Sequence, residues 1–142
     1  MGKGKQYKKI QLPNVTLAAM TSVKIYETIK ALEYSMRGIE FGEVVLITHR
    51  KPFMLPNSIT YKHTGKLTDI DCFNYKIAYE LGDYITTDYV LLVHYDGFVV
   101  HPEKWQEKFL DYDYIGSPWP VPPAGKVHSY HDIYGNLCRV GN

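Results

Sequence analysis

The sequence of 142 residues has only two cysteines, Cys72 and Cys138, and it lacks any long apolar run. Two cysteines are too few for a disulfide framework and do not have the paired spacing of a zinc site. We therefore expect both to be reduced thiols in a cytoplasmic protein. Because no stretch approaches 18 consecutive apolar residues and no apolar signal region follows the start, we also expect no membrane span.

The sequence has little net charge, and its basic excess lies at the N-terminus. Four lysines fall within residues 1–9, whereas from Ile10 onward 12 basic residues stand against 15 acidic ones. Phosphate backbones require a clustered basic face, so nucleic acid is not an expected partner. We predict that residues 1–9 form a basic flexible tail and that residues 10–142, which have the length of one ordinary domain, form a single domain.

Apolar periodicity predicts alternating strands and helices. A buried strand at Val15–Met20, a helix from about Ser22 to Gly38 and a strand at Val44–Thr48 have the order of a βαβ unit, which implies parallel strands. The further predicted elements are a weak strand at Ile59–His63, a helix at Ile70–Leu81, a central strand at Tyr89–Tyr95, a short helix at Pro102–Leu110 and a brief strand at Tyr114–Ile115. The predicted fold is α/β, a mostly parallel, Rossmann-like sheet flanked by helices.

Polar side chains follow three of the predicted strands. These residues are Thr21 and Ser22, then His49, Arg50 and Lys51, and finally His94, Tyr95 and Asp96. Ligands of open parallel sheets gather at the carboxyl ends of the strands. A carboxylate placed there, such as Asp96, can hold a divalent cation against a diphosphate. The alternative is that Asp96 and Gly97 only form a tight turn between two apolar runs.

Several segments resemble GT-A-type glycosyltransferases. The stretch His94–Pro102 is similar to the D-x-D-[TS]-x-V-x-x-P region of those enzymes, whose last aspartate binds the metal of a nucleotide sugar. Segments that resemble an uncharacterised family of GT-A-like transferases are Leu12–Leu17, Ala31–Ser35, Ile39–Gly42, Leu46–His49, Tyr95–Val99, Phe109–Gly116 and Pro118–Pro120. The resemblance covers nearly all of residues 12–142.

The resemblance implies transfer of a sugar from a nucleoside diphosphate sugar to a hydroxyl of a glycan or other acceptor, as in polysaccharide biosynthesis. By the same resemblance, Asp96 corresponds to the aspartate that binds Mn²⁺ or Mg²⁺. His94 replaces the first aspartate of the motif, and it is either a second metal ligand or a structural histidine. Thr21 and Ser22 fall where such enzymes contact the base and ribose, although Ser22 could instead cap the following helix.

His49 and Tyr95 complete the expected donor site. Weaker candidates, each with an ordinary structural alternative, are Arg50, Lys51, Tyr75, Lys76, Tyr79, Tyr84, Trp119, His128, His131 and Asp132. In the resembling family a further segment with the acceptor side follows the Val-Gly-Asn found here at residues 140–142. We therefore expect the donor-binding half and assign no catalytic base. Alternative functions are a non-catalytic nucleotide-sugar or carbohydrate binding module and a self-assembling scaffold, and homo-oligomerisation stays open.

Overall fold

The computed structural model describes residues 8–117, 130–131 and 133–138. The chain forms two compact units, Met1–Trp105 and Gln106–Asn142. The first unit contains a four-stranded, all-parallel sheet flanked by helices, which confirms the predicted α/β, Rossmann-like fold. Within the described part of the chain, no helix has the length and apolarity needed to cross a membrane.

The elements of the first unit follow the predicted order. They are β1 (Ile10–Met20), α1 (Ile25–Ser35), β2 (Ile39–Thr48), β3 (Thr60–His63), α2 (Ile70–Tyr79) and β4 (Tyr89–Leu92), with short 3-10 helices at Leu81–Tyr84 and Pro102–Lys104. The strands lie in the order β3-β2-β1-β4. The N-terminal cap of α2 is Asp69, whose carboxylate accepts the backbone N–H of Cys72 at 2.8 Å.

The sheet is covered on both faces because alternate residues of its two central strands point in opposite directions. On one face Leu17 and Leu46 pack against Leu32 of α1, and all three are fully buried. On the other face Met20 and Ile47 pack with Leu81 and with partly buried residues of α2 and its surroundings. The long apolar runs of β1 and β2 are therefore explained by burial on both sides.

The prediction of a central strand at Tyr89–Tyr95 is wrong. β4 ends at Leu92, and among the described strands it pairs only with β1, so it lies at an edge of the sheet. Val90 on this strand is 39% exposed. After Val93, whose N–H donates to the carbonyl of Ala18, the chain turns back on itself at His94. Apolarity indicated burial correctly for Val93, but strand order depends on pairing partners that a run of apolar residues does not specify.

β1 begins five residues earlier than predicted, and it contains Pro13. Proline cannot donate a backbone hydrogen bond, so within sheets it is confined to edges and irregular positions. The ladder between β1 and β2 is irregular at this point, since Leu12 pairs with Phe41 but the next pair is Thr16 with Glu43. The irregularity lets the strand continue past the proline.

The second unit contains a 3-10 helix at Glu107–Asp111 and an antiparallel hairpin of β5 (Tyr130–His131) and β6 (Leu137–Cys138). The predicted helix at Pro102–Leu110 is wrong, because that range holds the two separate 3-10 helices. The predicted strand at Tyr114–Ile115 is also wrong, since both residues are in irregular, exposed backbone. Trp119, His128 and Asp132 lie outside the described residues, and so does the side chain of His131.

Candidate functional site

A cleft of about 500 Å³ lies at the carboxyl edge of the sheet, between the loop after β1 and the loop after β2. Its lining contains three cationic side chains and one carboxylate, namely Lys24, Arg50, Lys51 and Glu27. Ser22, Tyr26 and Phe53 also contribute to the lining. The cleft therefore combines excess positive charge with aromatic surface where parallel α/β sheets usually bind ligands.

Lys24 directly precedes α1 and adopts a left-handed backbone conformation, with φ 47° and ψ 44°. This conformation is uncommon for residues other than glycine, asparagine and aspartate. No side chain caps the N-terminus of α1. Residues of the first turn of α1 line the same cleft as the three cations, and the positive end of the helix dipole favours anions there.

Thr21 and Ser22 form the bend that leads from β1 into this cleft. The Thr21 hydroxyl donates to the carbonyl of Val23 at 2.6 Å and accepts the N–H of Val23 at 3.1 Å. Ser22 Oγ accepts the backbone N–H of Leu67 at 2.8 Å and does not cap α1, so the alternative role of Ser22 as a helix cap is wrong. In this contact the Ser22 hydroxyl is only an acceptor, whereas the Thr21 hydroxyl both donates and accepts within the bend.

Asp96 lies in a tight turn beyond β4. The backbone N–H of His94 donates to the carbonyl of Gly97 at 2.8 Å, and the N–H of Gly97 donates back at 3.3 Å. Tyr95 and Asp96 occupy the two central positions of this turn. The Asp96 side chain is exposed, and its carboxylate forms no hydrogen bond or ion pair with the residues that the structure describes. The turn alternative is thus correct for the backbone, and it leaves the carboxylate oxygens accessible.

The ring of His94 packs against Phe73 of α2, with the ring centroids 5.5 Å apart. His94 is half-buried, and this packing supports its interpretation as a structural histidine. Across the described ranges, no three histidine, cysteine, aspartate or glutamate side chains form a group that could hold a metal ion. Asp96 is therefore the residue of the D-x-D-like motif whose side chain the turn presents to solvent.

Lys24 connects the cleft to the Asp96 turn. Its ammonium lies over the ring of Tyr95, 4.3 Å from the ring centroid, while the same side chain lines the cleft. Such a cation–π contact draws the loop after β1 and the turn after β4 together. Lys24 was not among the predicted site residues, because a lysine at the start of an amphipathic helix normally belongs to its solvent face. Its position four residues after the end of β1 was the available signal.

The remaining candidates lie apart from this arrangement. His49 is half-buried with Nδ1 3.5 Å from the hydroxyl of Thr48, and it does not line the cleft. Lys76 forms an ion pair with Glu80 at 2.6 Å, and this hydrogen bond raises the pKa of Lys76. An ammonium already paired in this way is a poor candidate for a phosphate contact.

The tyrosines of α2 and its surroundings divide by exposure. The exposed rings of Tyr75 and Tyr79 on α2 contact each other at a tilt of 41°, with ring centroids 4.9 Å apart. Tyr84 is partly buried against the core face that contains Leu81. None of the three lines the cleft. Their positions agree with packing or surface roles.

Residues 79–138 match a family model described as a protein of unknown function (DUF5672). The matched range includes β4 and the Asp96 turn, and it leaves Lys24, Arg50 and Lys51 outside. No curated protein and no solved structure match the chain. The chain is therefore similar, over residues 79–138, to a family that has no established function.

Proposed function

We propose that this protein binds a nucleoside diphosphate sugar at the carboxyl edge of its sheet and transfers the sugar to an acceptor hydroxyl with the help of a divalent cation. The observation that carries the proposal is the contact between Lys24 and Tyr95. Lys24 lines the anion-favouring cleft and contacts the residue before Asp96, which supports a single site that combines the cleft with this accessible carboxylate. A diphosphate needs both, because its oxygens are neutralised by cationic side chains and by a metal ion that a carboxylate holds.

The lining residues suggest which part of such a ligand each of them would contact. The first turn of α1, the Ser22 hydroxyl and Lys24 offer donors for phosphate oxygens. Tyr26, also in the lining, offers aromatic surface to a base or a sugar ring. The cleft therefore has the mixture of charge and aromatic surface that a sugar nucleotide requires.

Asp96 can supply one carboxylate ligand to Mg²⁺ or Mn²⁺. Magnesium in phosphate-binding sites commonly keeps several waters and takes one or two carboxylates together with the phosphates of the substrate. The exposed, unpaired carboxylate of Asp96 can supply one such ligand. When bound, the cation would stabilise the negative charge that accumulates on the departing diphosphate.

Calorimetric titration of UDP, GDP and their sugars, with and without Mn²⁺, tests the donor site. We expect metal-dependent binding that Asp96→Ala abolishes and that Lys24→Met weakens about tenfold or more, because a charge-assisted contact to phosphate is lost. Lys30→Met is the matched control, since Lys30 is an exposed lysine of the same helix that does not line the cleft. Absence of binding by every nucleotide tested would refute the proposal.

A second candidate is a module that binds the same ligands without transferring the sugar. It is favoured by the finding that His94 and Thr21, two residues expected at the donor site, are engaged in contacts within the protein. The two candidate functions are distinguished by measuring, with chromatography, whether free sugar is released from a bound donor. Metal-dependent hydrolysis that is lost in Asp96→Ala supports the transferase, and tight binding without release supports the module.

A further inference from the structure

The loop between β2 and β3 presents two large apolar side chains to solvent at its tip. Phe53 is 80% exposed and Met54 is 83% exposed, although both belong to residue types that are usually buried. Met54 also has a positive φ of 55°, a conformation that methionine rarely adopts. A strained turn with two adjacent exposed apolar residues indicates a surface that is shielded from water in some other state.

The tip is exposed although the loop around it is firmly anchored. Pro52, directly before the tip, is buried, and Leu55, directly after it, packs against the core face that contains Leu46. Ile59 is 4% exposed, and its N–H donates to the carbonyl of Pro56 at 2.9 Å. The backbone on both sides is therefore held in place, so that Phe53 and Met54 are presented by the fold and are not the end of a loose segment.

The charges beside the tip indicate what covers it. Arg50 and Lys51 lie three and two residues before Phe53. Lys24 lines the same cleft as Phe53, whereas Glu27 is the acidic residue of that lining. This local excess of positive charge contrasts with the body of the chain, where 12 basic residues stand against 15 acidic ones from Ile10 onward. An apolar tip flanked by cations complements a bilayer surface, whose acyl boundary accepts the apolar side chains and whose anionic headgroups attract the cations.

We infer that the Phe53–Met54 tip docks this protein on an anionic phospholipid surface, with Arg50 and Lys51 against the headgroups. The contact is peripheral, since only two apolar side chains enter the interface. It places the carboxyl edge of the sheet, and with it the cleft, next to the bilayer. The inference does not depend on the proposed function, because it stands on the exposure, anchoring and charge of this loop.

Sedimentation of the full chain with vesicles of phosphatidylcholine, with and without phosphatidylserine, tests the inference. We expect binding to the phosphatidylserine vesicles that falls as salt is raised. Phe53→Ser combined with Met54→Ser should weaken it about tenfold or more, because the inserted apolar area is lost. Arg50→Glu combined with Lys51→Glu should weaken it at least about 25-fold, on the basis of about fivefold for each cation near the surface.

The matched control combines Ile133→Ser with Tyr134→Ser, which removes a pair of comparably exposed apolar residues, at 90% and 83%, from another turn. Its vesicle binding should equal that of the wild type. The inference is overturned if the chain does not bind phosphatidylserine vesicles, or if it binds them equally well without Phe53 and Met54, as it would through its basic N-terminal residues. A dimer in light scattering that is lost in the Phe53→Ser, Met54→Ser variant would assign the tip to a second copy and would also overturn it. Nucleotide titration measures the cleft separately, so failure of one proposal does not imply failure of the other.

Discussion

Gly42 of β2 faces the backbone of Pro13, at the point where the ladder between β1 and β2 is irregular. Three residues of β1, 13 to 15, oppose this single glycine, since the neighbouring pairs are Leu12 with Phe41 and Thr16 with Glu43. A Cβ atom added to Gly42 would overlap the carbonyl oxygen of Pro13 and lie 2.9 Å from its carbonyl carbon. Ordinary contacts of a Cβ atom begin at 3.4 Å, so the two central strands would have to separate at this position.

The size of the effect follows from what must move. The obstructing atoms all belong to the backbone of Pro13, so no side-chain rotation can relieve the overlap. Overpacking of this kind typically costs about 1–3 kcal/mol of the free energy of unfolding. For a chain of this size we expect Gly42→Ala to lower the melting temperature by about 4–12 °C.

Thermal unfolding followed by circular dichroism measures the effect, with Gly65→Ala as the control. A Cβ atom at Gly65 would meet nothing within 4 Å, and Gly65 is not among the residues with positive φ. Gly65→Ala should therefore be neutral or raise stability by up to about 1 kcal/mol through the unfolded state. Equal melting temperatures for Gly42→Ala and the wild type would refute the close approach of the two backbones and, with it, the irregular ladder.

Two further predictions concern single hydrogen-bonding side chains. Ser35→Ala should lower the free energy of unfolding by about 1–3 kcal/mol, because the buried hydroxyl of Ser35 accepts the N–H of Val99 at 3.1 Å and this donor would lose its partner. Denaturant unfolding measures the effect, and an unchanged midpoint denaturant concentration would contradict the prediction. The N–H of Cys72 and the hydroxyl of Thr68 donate to the carboxylate of Asp69 and lower its pKa below the usual 3.8. The ionised carboxylate therefore stabilises the folded state above pH 3.8. This stabilisation is lost as the pH falls through the lower pKa of the folded state. Melting temperatures between pH 7 and pH 3 should therefore show Asp69→Ala less stable than the wild type near neutrality, with the gap narrowing below about pH 4 as the charge is lost. Asp69→Asn should retain the uncharged cap over the whole range. A gap that does not depend on pH would contradict the role of the charge.

Local patterns were sufficient to predict most elements of the first unit. The apolar runs of β1 and β2 and the periodicity of α1 and α2 report burial of neighbouring residues in the chain, and this is a local property. The cap at Asp69 could also be predicted, because a capping side chain and the backbone N–H that donates to it lie within three residues of each other. The strand–helix–strand order then implied parallel pairing and therefore a ligand site at the carboxyl edge.

The site itself required the tertiary structure. The only local signal for Lys24 was its position four residues after the end of β1, and its place in the candidate site comes from contact with Tyr95, 71 positions further along the chain. Ser22 had the local pattern of a helix cap, but Leu67 from another loop takes its oxygen instead. In both cases the deciding partner is distant in sequence, so the pattern around the residue itself contained no information about it.

Composition determined that this chain has a buried core and little net charge, because those properties depend on how many residues of each kind occur. Apolar periodicity determined the α/β arrangement, because it reports how those residues alternate along the chain. Only the tertiary structure decided that β4 lies at the edge, that Pro13 is accommodated opposite Gly42 and that Phe53 and Met54 remain outside the core. The physical reason is the same for all three. Each depends on which strand or loop occupies the neighbouring space, and packing between distant segments sets that choice.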